Sequence, residues 1–222
     1  MNHLYFLTVD EPFWAQQQAL LALLSPEKRE CIQSMRFDID QKLSLYADVL
    51  VRCLACRALR VSNDGLVFLQ NAFGKPYLMG YPGFHFNISH THSAIAVALS
   101  NREVGVDIER VAKADLRIAR RYFTAAESDW IEAGGAEADE RFYTVWTRKE
   151  AYIKWLGRGL SIPLSSFDTS GKKIFSTHQG DYLISAFPAS EKIGDAPTCM
   201  TEHELLVMGS ALLGAPVLDD HR

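Results

Sequence analysis

Three groups of residues in this 222-residue chain are of the types and spacings that support chemistry. The first is Gly105-Val-Asp107-Ile-Glu109. In an extended strand Val104, Val106 and Ile108 share one face, while Gly105, Asp107 and Glu109 share the other. The two carboxylate-bearing Cα atoms then stand about 6–7 Å apart. Paired carboxylates on a rigid strand suit a hard divalent cation such as Mg²⁺, and Gly105 would leave room for a ligand. Taken alone, this Asp-x-Glu reads more readily as the acidic solvent face of an amphipathic strand. The second group is Trp146-Thr-Arg-Lys149-Glu150-Ala-Tyr-Ile-Lys154. On a helix Trp146, Glu150 and Lys154 fall on nearly one line, and Lys149 and Glu150 interrupt an apolar stripe of Phe142, Val145, Trp146, Ile153 and Leu156. A carboxylate and an ammonium held together can act as metal ligand, base and phosphate clamp. A solvated Glu150–Lys154 pair, worth only ~0.3–0.5 kcal/mol, explains the same spacing equally well. The third group is Lys28, Lys42, Ser44, Lys75 and Asn87-Ile-Ser89-His90. Ser89, His90 and the backbone N–H groups after them could hold a phosphate ester, although each lysine alone reads as an ordinary surface charge. His90-x-His92 lacks an obvious third metal ligand.

Composition limits what these groups can serve. Lys and Arg number 23 against 27 Asp and Glu, giving a net charge of −4 and a pI near 6.0. The basic excess of a nucleic-acid binder is absent, so a phosphate-bearing partner must be met locally, by placed cations or a metal ion. With 48% hydrophobic residues the chain can build a real core. Cys53 and Cys56 form a CxxC inside a helical pattern, which reads as buried thiols rather than a redox or zinc site. The opening residues lack the basic and apolar regions of a signal peptide, and the apolar stretch at 205–218 is too short and too broken to span a bilayer. The expectation is a cytoplasmic protein with no membrane or nucleic-acid partner.

Several elements must position the three groups. Strands are expected at 4–9, 66–69, 85–89, 94–99, 104–110, 174–175 and 182–187. Helices are expected at 12–24, 40–59, 116–123, 125–131 and 139–156, and 204–213 is ambiguous. Ser25-Pro26 marks a helix start, Asn63-Asp-Gly65 a turn, and Gly157-Arg-Gly159 a helix stop. Strand–helix–strand–strand occurs twice, with a junction near 100–103. This predicts an α/β protein of two similar halves, 1–101 and 102–222, each of ordinary domain size.

In combination these motifs resemble the Sfp-type 4′-phosphopantetheinyl transferases. The matching segments are Gly105-Val-Asp-Ile-Glu109, Phe123-Thr-Ala-Ala-Glu127, Trp146 through Lys154, and the exit Gly157-Arg-Gly-Leu-Ser-Ile-Pro163. Upstream, Ser25-Pro-Glu-Lys-Arg29, Gly74-Lys-Pro76 and Phe86-Asn-Ile-Ser-His90 match as well. The resemblance runs from about Ser25 to Phe167. It implies a pseudo-twofold pair of α/β halves with the active site in the cleft between them.

The implied activity is transfer of 4′-phosphopantetheine from coenzyme A to a serine of an apo acyl or peptidyl carrier protein, with release of adenosine 3′,5′-bisphosphate. Carriers of fatty-acid, polyketide and nonribosomal-peptide synthesis are the partner class, and a monomer is expected. Asp107, Glu109 and Glu150 would hold Mg²⁺, or Mn²⁺ in its place. Glu150 would be the base, and Lys154 would stabilise phosphate charge. Lys28, Ser44, Lys75, Ser89 and His90 would bind the nucleotide, and the stretch from Gly157 to Ser166 would help dock the carrier. Cys31 and Ile32 stand where such enzymes often carry another cation. Two other functions would use the same residues: a Mg²⁺-dependent coenzyme A pyrophosphate hydrolase, and a non-catalytic module that binds coenzyme A or a carrier.

Overall fold

A computed structural model describes residues 2–9, 17–189 and 196–214, except for the side chain of Leu160. Strand β1 (Asn2–Thr8) opens the chain. Of the helix expected at 12–24, residues 12–16 lie outside the described residues, and Gln17–Leu23 form a 3₁₀ helix. Helix α1 (Pro26–Gln33) starts where the sequence places it, because Ser25 Oγ accepts the Lys28 N–H at 3.3 Å and Pro26 fills the first turn. Helix α2 (Asp38–Leu59) follows, then a small hairpin of β2 (Phe68–Gln70) and β3 (Pro76–Leu78). A longer hairpin joins β4 (His85–Thr91) to β5 (Ala94–Ser100).

Beyond the junction lie β6 (Gly105–Arg110), α3 (Leu116–Tyr122), α4 (Ala125–Glu132) and α5 (Ala138–Leu156). They are followed by β7 (Phe175–Gln179), β8 (Tyr182–Phe187), β9 (Thr198–Met200) and α6 (Glu202–Leu212). The ambiguous stretch at 204–213 is therefore helical. A capping box settles it: Thr201 accepts the Glu204 N–H, and Glu204 accepts the Thr201 N–H in return. Among the described residues no helix is long and apolar enough to cross a membrane.

The sheets run β4-β5-β1-β9 and β6-β8-β7. In the first, β1 pairs antiparallel with β5 and β5 with β4; in the second, β6 pairs with β8 and β8 with β7. Helix α2 packs on the first sheet and α5 on the second. Strand β5 is buried on both faces: Ile95, Val97 and Leu99 meet α2, while Ala94, Ala96 and Ala98 meet Val104, Val106, Ile108 and Ile184 of the second sheet. Three alanines in a row on one face let the two sheets approach closely. The chain then returns, since β9 pairs parallel with β1 and α6 packs on α2. Residues 198–212 thus lie against elements of 1–101, although the sequence groups them with the later half. A buried bond set ties them down: Lys42 Nζ donates to Glu202 at 3.1 Å, and the Tyr46 hydroxyl donates to Glu202 at 2.9 Å.

Gly105 has a different purpose from the one its sequence suggests. It is buried under α5, and a Cβ there would overlap the backbone at the Ala151 carbonyl and the Trp155 nitrogen. Glycine is needed for close helix–strand packing, not as space for a ligand. Gly105→Ala is expected to cost ~3 kcal/mol, or ~6–12 °C in Tm for a chain of this size, read by calorimetry. A Tm within 2 °C of wild type (~0.5–1 kcal/mol) would show that α5 yields freely.

Candidate functional site

The site forms where strand β4 of one sheet lies beside strand β6 of the other. No backbone ladder joins them among the described residues; side chains do. Alternate residues of β4 reach across. Asn87 Oδ1 accepts the Val106 N–H at 2.8 Å, Ser89 Oγ donates to Asp107 Oδ1 at 2.8 Å, and Thr91 Oγ1 donates to Glu109 Oε2 at 3.0 Å. The period of two along β4 puts all three on one face, which is why Asn87-x-Ser89-x-Thr91 is polar. Asn87 and Ser89 are buried, and Asp107 is only 4% exposed. Asp107 and Glu109 therefore do not form a solvent face: the strand is covered on both sides.

Helix α5 supplies the remaining charges. Lys154 Nζ donates to Asp107 Oδ1 and to Ser89 Oγ, each at 2.7 Å. The simple Glu150–Lys154 surface pair is thus overturned; Lys154 reaches across to β6 and β4 instead. Glu150 is half-buried, and its carboxyl is pushed above the usual range, first by burial, then by Asp107, with a smaller contribution from Glu109. Glu109 is pushed up in the same sense, first by burial and next by Asp107. Three carboxylates therefore crowd one region, and Lys154 offsets them only in part.

This arrangement bears on a divalent cation. Asp107 Oδ2 is buried and has no hydrogen-bond partner, which is costly unless something else coordinates it. Oxygen donors only, mutual repulsion and an orphaned carboxylate oxygen fit Mg²⁺. Among the described residues no three His, Cys, Asp or Glu side chains are grouped closely enough to hold a metal ion by themselves.

A pocket of about 320 Å³ adjoins the carboxylates, lined by Lys28, Ser44, Asp48, Ser89, His90 and Lys154 among others. Four of the five expected nucleotide-binding residues are thus brought together. Lys28 bonds Asp48 at 3.0 Å, a pocket acid that the sequence did not single out. His90 has its pKa lowered, first by desolvation and next by Lys154. Lys75 stands apart. Its Nζ bonds Glu103 at 2.5 Å, the Val104 carbonyl at 3.2 Å and the Trp155 carbonyl at 3.1 Å, linking the β3 hairpin to β6 and to the end of α5. Lys42, grouped with the basic residues by sequence, is buried against Glu202 on the α6 side.

Lys149 is fully buried, and its ammonium meets Glu127 Oε2, the Leu164 carbonyl and the Phe167 carbonyl, each at 2.7 Å. Glu127 in turn accepts from Thr124 and Thr169. This explains the acid of Phe123-Thr-Ala-Ala-Glu127 and the lysine before Glu150: they brace the helix that carries the site. Only the break in the apolar stripe at Lys149 hinted at it.

Comparison with known proteins shows the family. Residues 103–200 match the family described as the 4′-phosphopantetheinyl transferase superfamily, and residues 11–102 match 4′-phosphopantetheinyl transferase, N-terminal. The chain is 34% identical over 166 residues to a 4′-phosphopantetheinyl transferase of Bacillus subtilis, covering 74% of each chain. It is 37% identical over 153 residues to the transferase psf-1 of Bacillus pumilus, covering 68% of this chain and 66% of that one. An L-aminoadipate-semialdehyde dehydrogenase-phosphopantetheinyl transferase of Xenopus laevis is 31% identical over 179 residues, covering 70% of this chain and 58% of that one. With the sheet seam, the carboxylates and the adjoining pocket, these likenesses show that the chain belongs to the 4′-phosphopantetheinyl transferase superfamily, among its Sfp-type enzymes.

Proposed function

We propose that the chain transfers 4′-phosphopantetheine from coenzyme A to a serine of an apo carrier protein, at the seam between β4 and β6. The observation that carries this reading is the convergence of Ser89, Asp107 and Lys154 beside the pocket of Lys28, Ser44 and His90. Two functional halves divide the work: 1–101 hold the nucleotide, while the later half contributes the carboxylates, α5 and the carrier contacts. Lys28, Ser44, Ser89 and His90 bind the adenine nucleotide and its phosphates. Lys75 contributes from outside the pocket, by tying the β3 hairpin to the Val104 and Trp155 carbonyls.

Asp107, Glu109 and Glu150 would hold Mg²⁺ together with pyrophosphate oxygens. When bound, the ion neutralises the phosphates and stabilises charge on the leaving group. Glu150 is a base matched to its task, because burial and its acidic neighbours raise its affinity for the serine proton. The serine oxygen then forms a bond to the β-phosphorus as the bond to adenosine 3′,5′-bisphosphate breaks. Lys154, already aimed at the centre of the site, supplies positive charge to the oxygens that gain it. The protein works as a cytoplasmic monomer.

The test is to incubate the protein with coenzyme A, Mg²⁺ and an apo carrier and weigh the carrier. A phosphopantetheine-sized gain is expected. Cleavage of coenzyme A without carrier labelling would make the protein a hydrolase, and neither product would make it a binding module.

The raised carboxyls of Glu109 and Glu150 set the pH dependence. Their folded pKa values lie above the unfolded ones, so the folded protein gains stability from protonation, and this gain is lost as pH rises through the folded values. A cation takes the ionised forms. Stabilisation by Mg²⁺ is therefore expected to be larger at about pH 8 than at about pH 5, reaching ~2.7 kcal/mol at a hundredfold excess over Kd. Calorimetry with and without Mg²⁺ reads it, and equal increments at both pH values would remove these two acids from the site.

A further inference from the structure

Eight large hydrophobic side chains are exposed among the described residues, and five of them, Val67, Leu69, Phe73, Tyr77 and Met79, fall in one 13-residue span. This span is the β2–β3 hairpin and its turn. Phe68 pairs with Leu78, and both face inward: Leu78 is 3% exposed and Phe68 stacks edge-on against Phe86 at 5.6 Å. Leu69 pairs with Tyr77, and the Met79 N–H donates to the Val67 carbonyl, so the outward face of the hairpin is apolar. Alternation normally makes that face polar. A contiguous apolar face on an otherwise charged protein marks an interaction site.

We infer that this hairpin face is a second docking surface for the carrier-protein partner, separate from the transfer site. The inference rests on the functional reading above for the nature of that partner. The exposed apolar area, on the order of 450 Å², equals the apolar share of an interface of roughly 800 Å² per partner, enough for one small partner domain. Two observations select the carrier as its occupant.

The hairpin is also fastened to the site. Asn71 Nδ2 donates to the Gly157 carbonyl at 2.9 Å, and Lys75 Nζ donates to the Trp155 carbonyl at 3.1 Å, directly after Lys154. Its distance from the site matches a small domain as well. The hairpin pocket is walled by Tyr77 and His85, and His85 lies four strand residues, ~13 Å, from Ser89. A carrier of about 100 residues has a radius of gyration of ~13 Å. With its serine at Ser89 and Lys154, such a domain overlies the hairpin.

The test is the Tyr77→Ser/Met79→Ser double variant, whose side chains point outward and so leave the fold intact. Binding of a fluorescently labelled apo peptidyl carrier domain is read by anisotropy, and transfer by carrier mass on the same samples. The expected result is about tenfold weaker carrier binding and a tenfold higher carrier KM, with kcat and the coenzyme A KM unchanged. Unchanged carrier binding and KM would overturn the docking surface and leave the transferase reading standing. Wild type that binds the carrier through this face but never labels it would overturn the transferase reading and leave the surface standing. Wild type that neither binds nor labels it overturns both. A dimer of the wild type, lost in the variant by light scattering, would assign the face to a second copy and overturn the inference.

Discussion

Asp107→Asn is expected to lower kcat/KM for carrier labelling by about 10²–10³, equivalent to ~2.7–4 kcal/mol of transition-state stabilisation. Asparagine keeps the shape of the side chain and can still accept from Ser89 and Lys154. What it removes is the charge on Oδ2, the Asp107 oxygen that is buried without a hydrogen-bond partner. The Mg²⁺-dependent rise in Tm should shrink with it, which separates lost cation binding from a misplaced strand. Lys154 is 28% exposed, so water partly compensates its ammonium and the metal-free protein should lose little stability. Labelling within tenfold of wild type, with the Tm rise intact, would remove Asp107 from the centre of the site.

The largest effect on stability is expected at Lys149. Its three N–H donors are matched by three acceptors at 2.7 Å, and its ammonium lies 4.4 Å from the centroid of the Phe167 ring. Burial lowers its pKa, and Glu127 pulls it back up. Lys149→Met leaves the Glu127 charge 5% exposed and without its cation, at a cost of ~3–5 kcal/mol. Pairing it with Glu127→Leu should recover much of that loss, because two apolar residues of similar volume replace a buried pair at little net cost. Denaturant unfolding of both single variants and the double variant measures the coupling. Additive losses would mean that Lys149 and Glu127 act independently.

These two lysines show where sequence reading stops. The spacing of Trp146, Glu150 and Lys154 predicts one helix face, and α5 provides it. Spacing along one helix, however, offers Lys154 only Glu150 as a partner. Its actual partners, Ser89 and Asp107, lie 65 and 47 residues away and are chosen by the packing of two sheets. Lys149 likewise reads as a flaw in an apolar stripe until α4 and the 164–169 loop close over it. Gly105 is a similar case: the sequence shows that a side chain is missing, and only the approach of α5 shows what the gap is for.

By itself, the sequence determines many of the local elements and the family, but not β3, β9 or α6. Alternation and helical spacing mark β4, β5, β6, α2 and α5, Ser25 marks the start of α1, and the ordered motifs from Ser25 to Phe167 carry the likeness to the transferases. These signals are local because backbone geometry repeats every two or 3.6 residues. The tertiary structure alone decides that β4 and β6 meet through side chains, that Lys75 lies off the pocket, that residues 198–212 return to β1 and α2, and that the outer hairpin face is apolar and open. Each depends on which surfaces pack together, and burial of apolar area is non-directional, so a single strand or helix does not encode its distant partner.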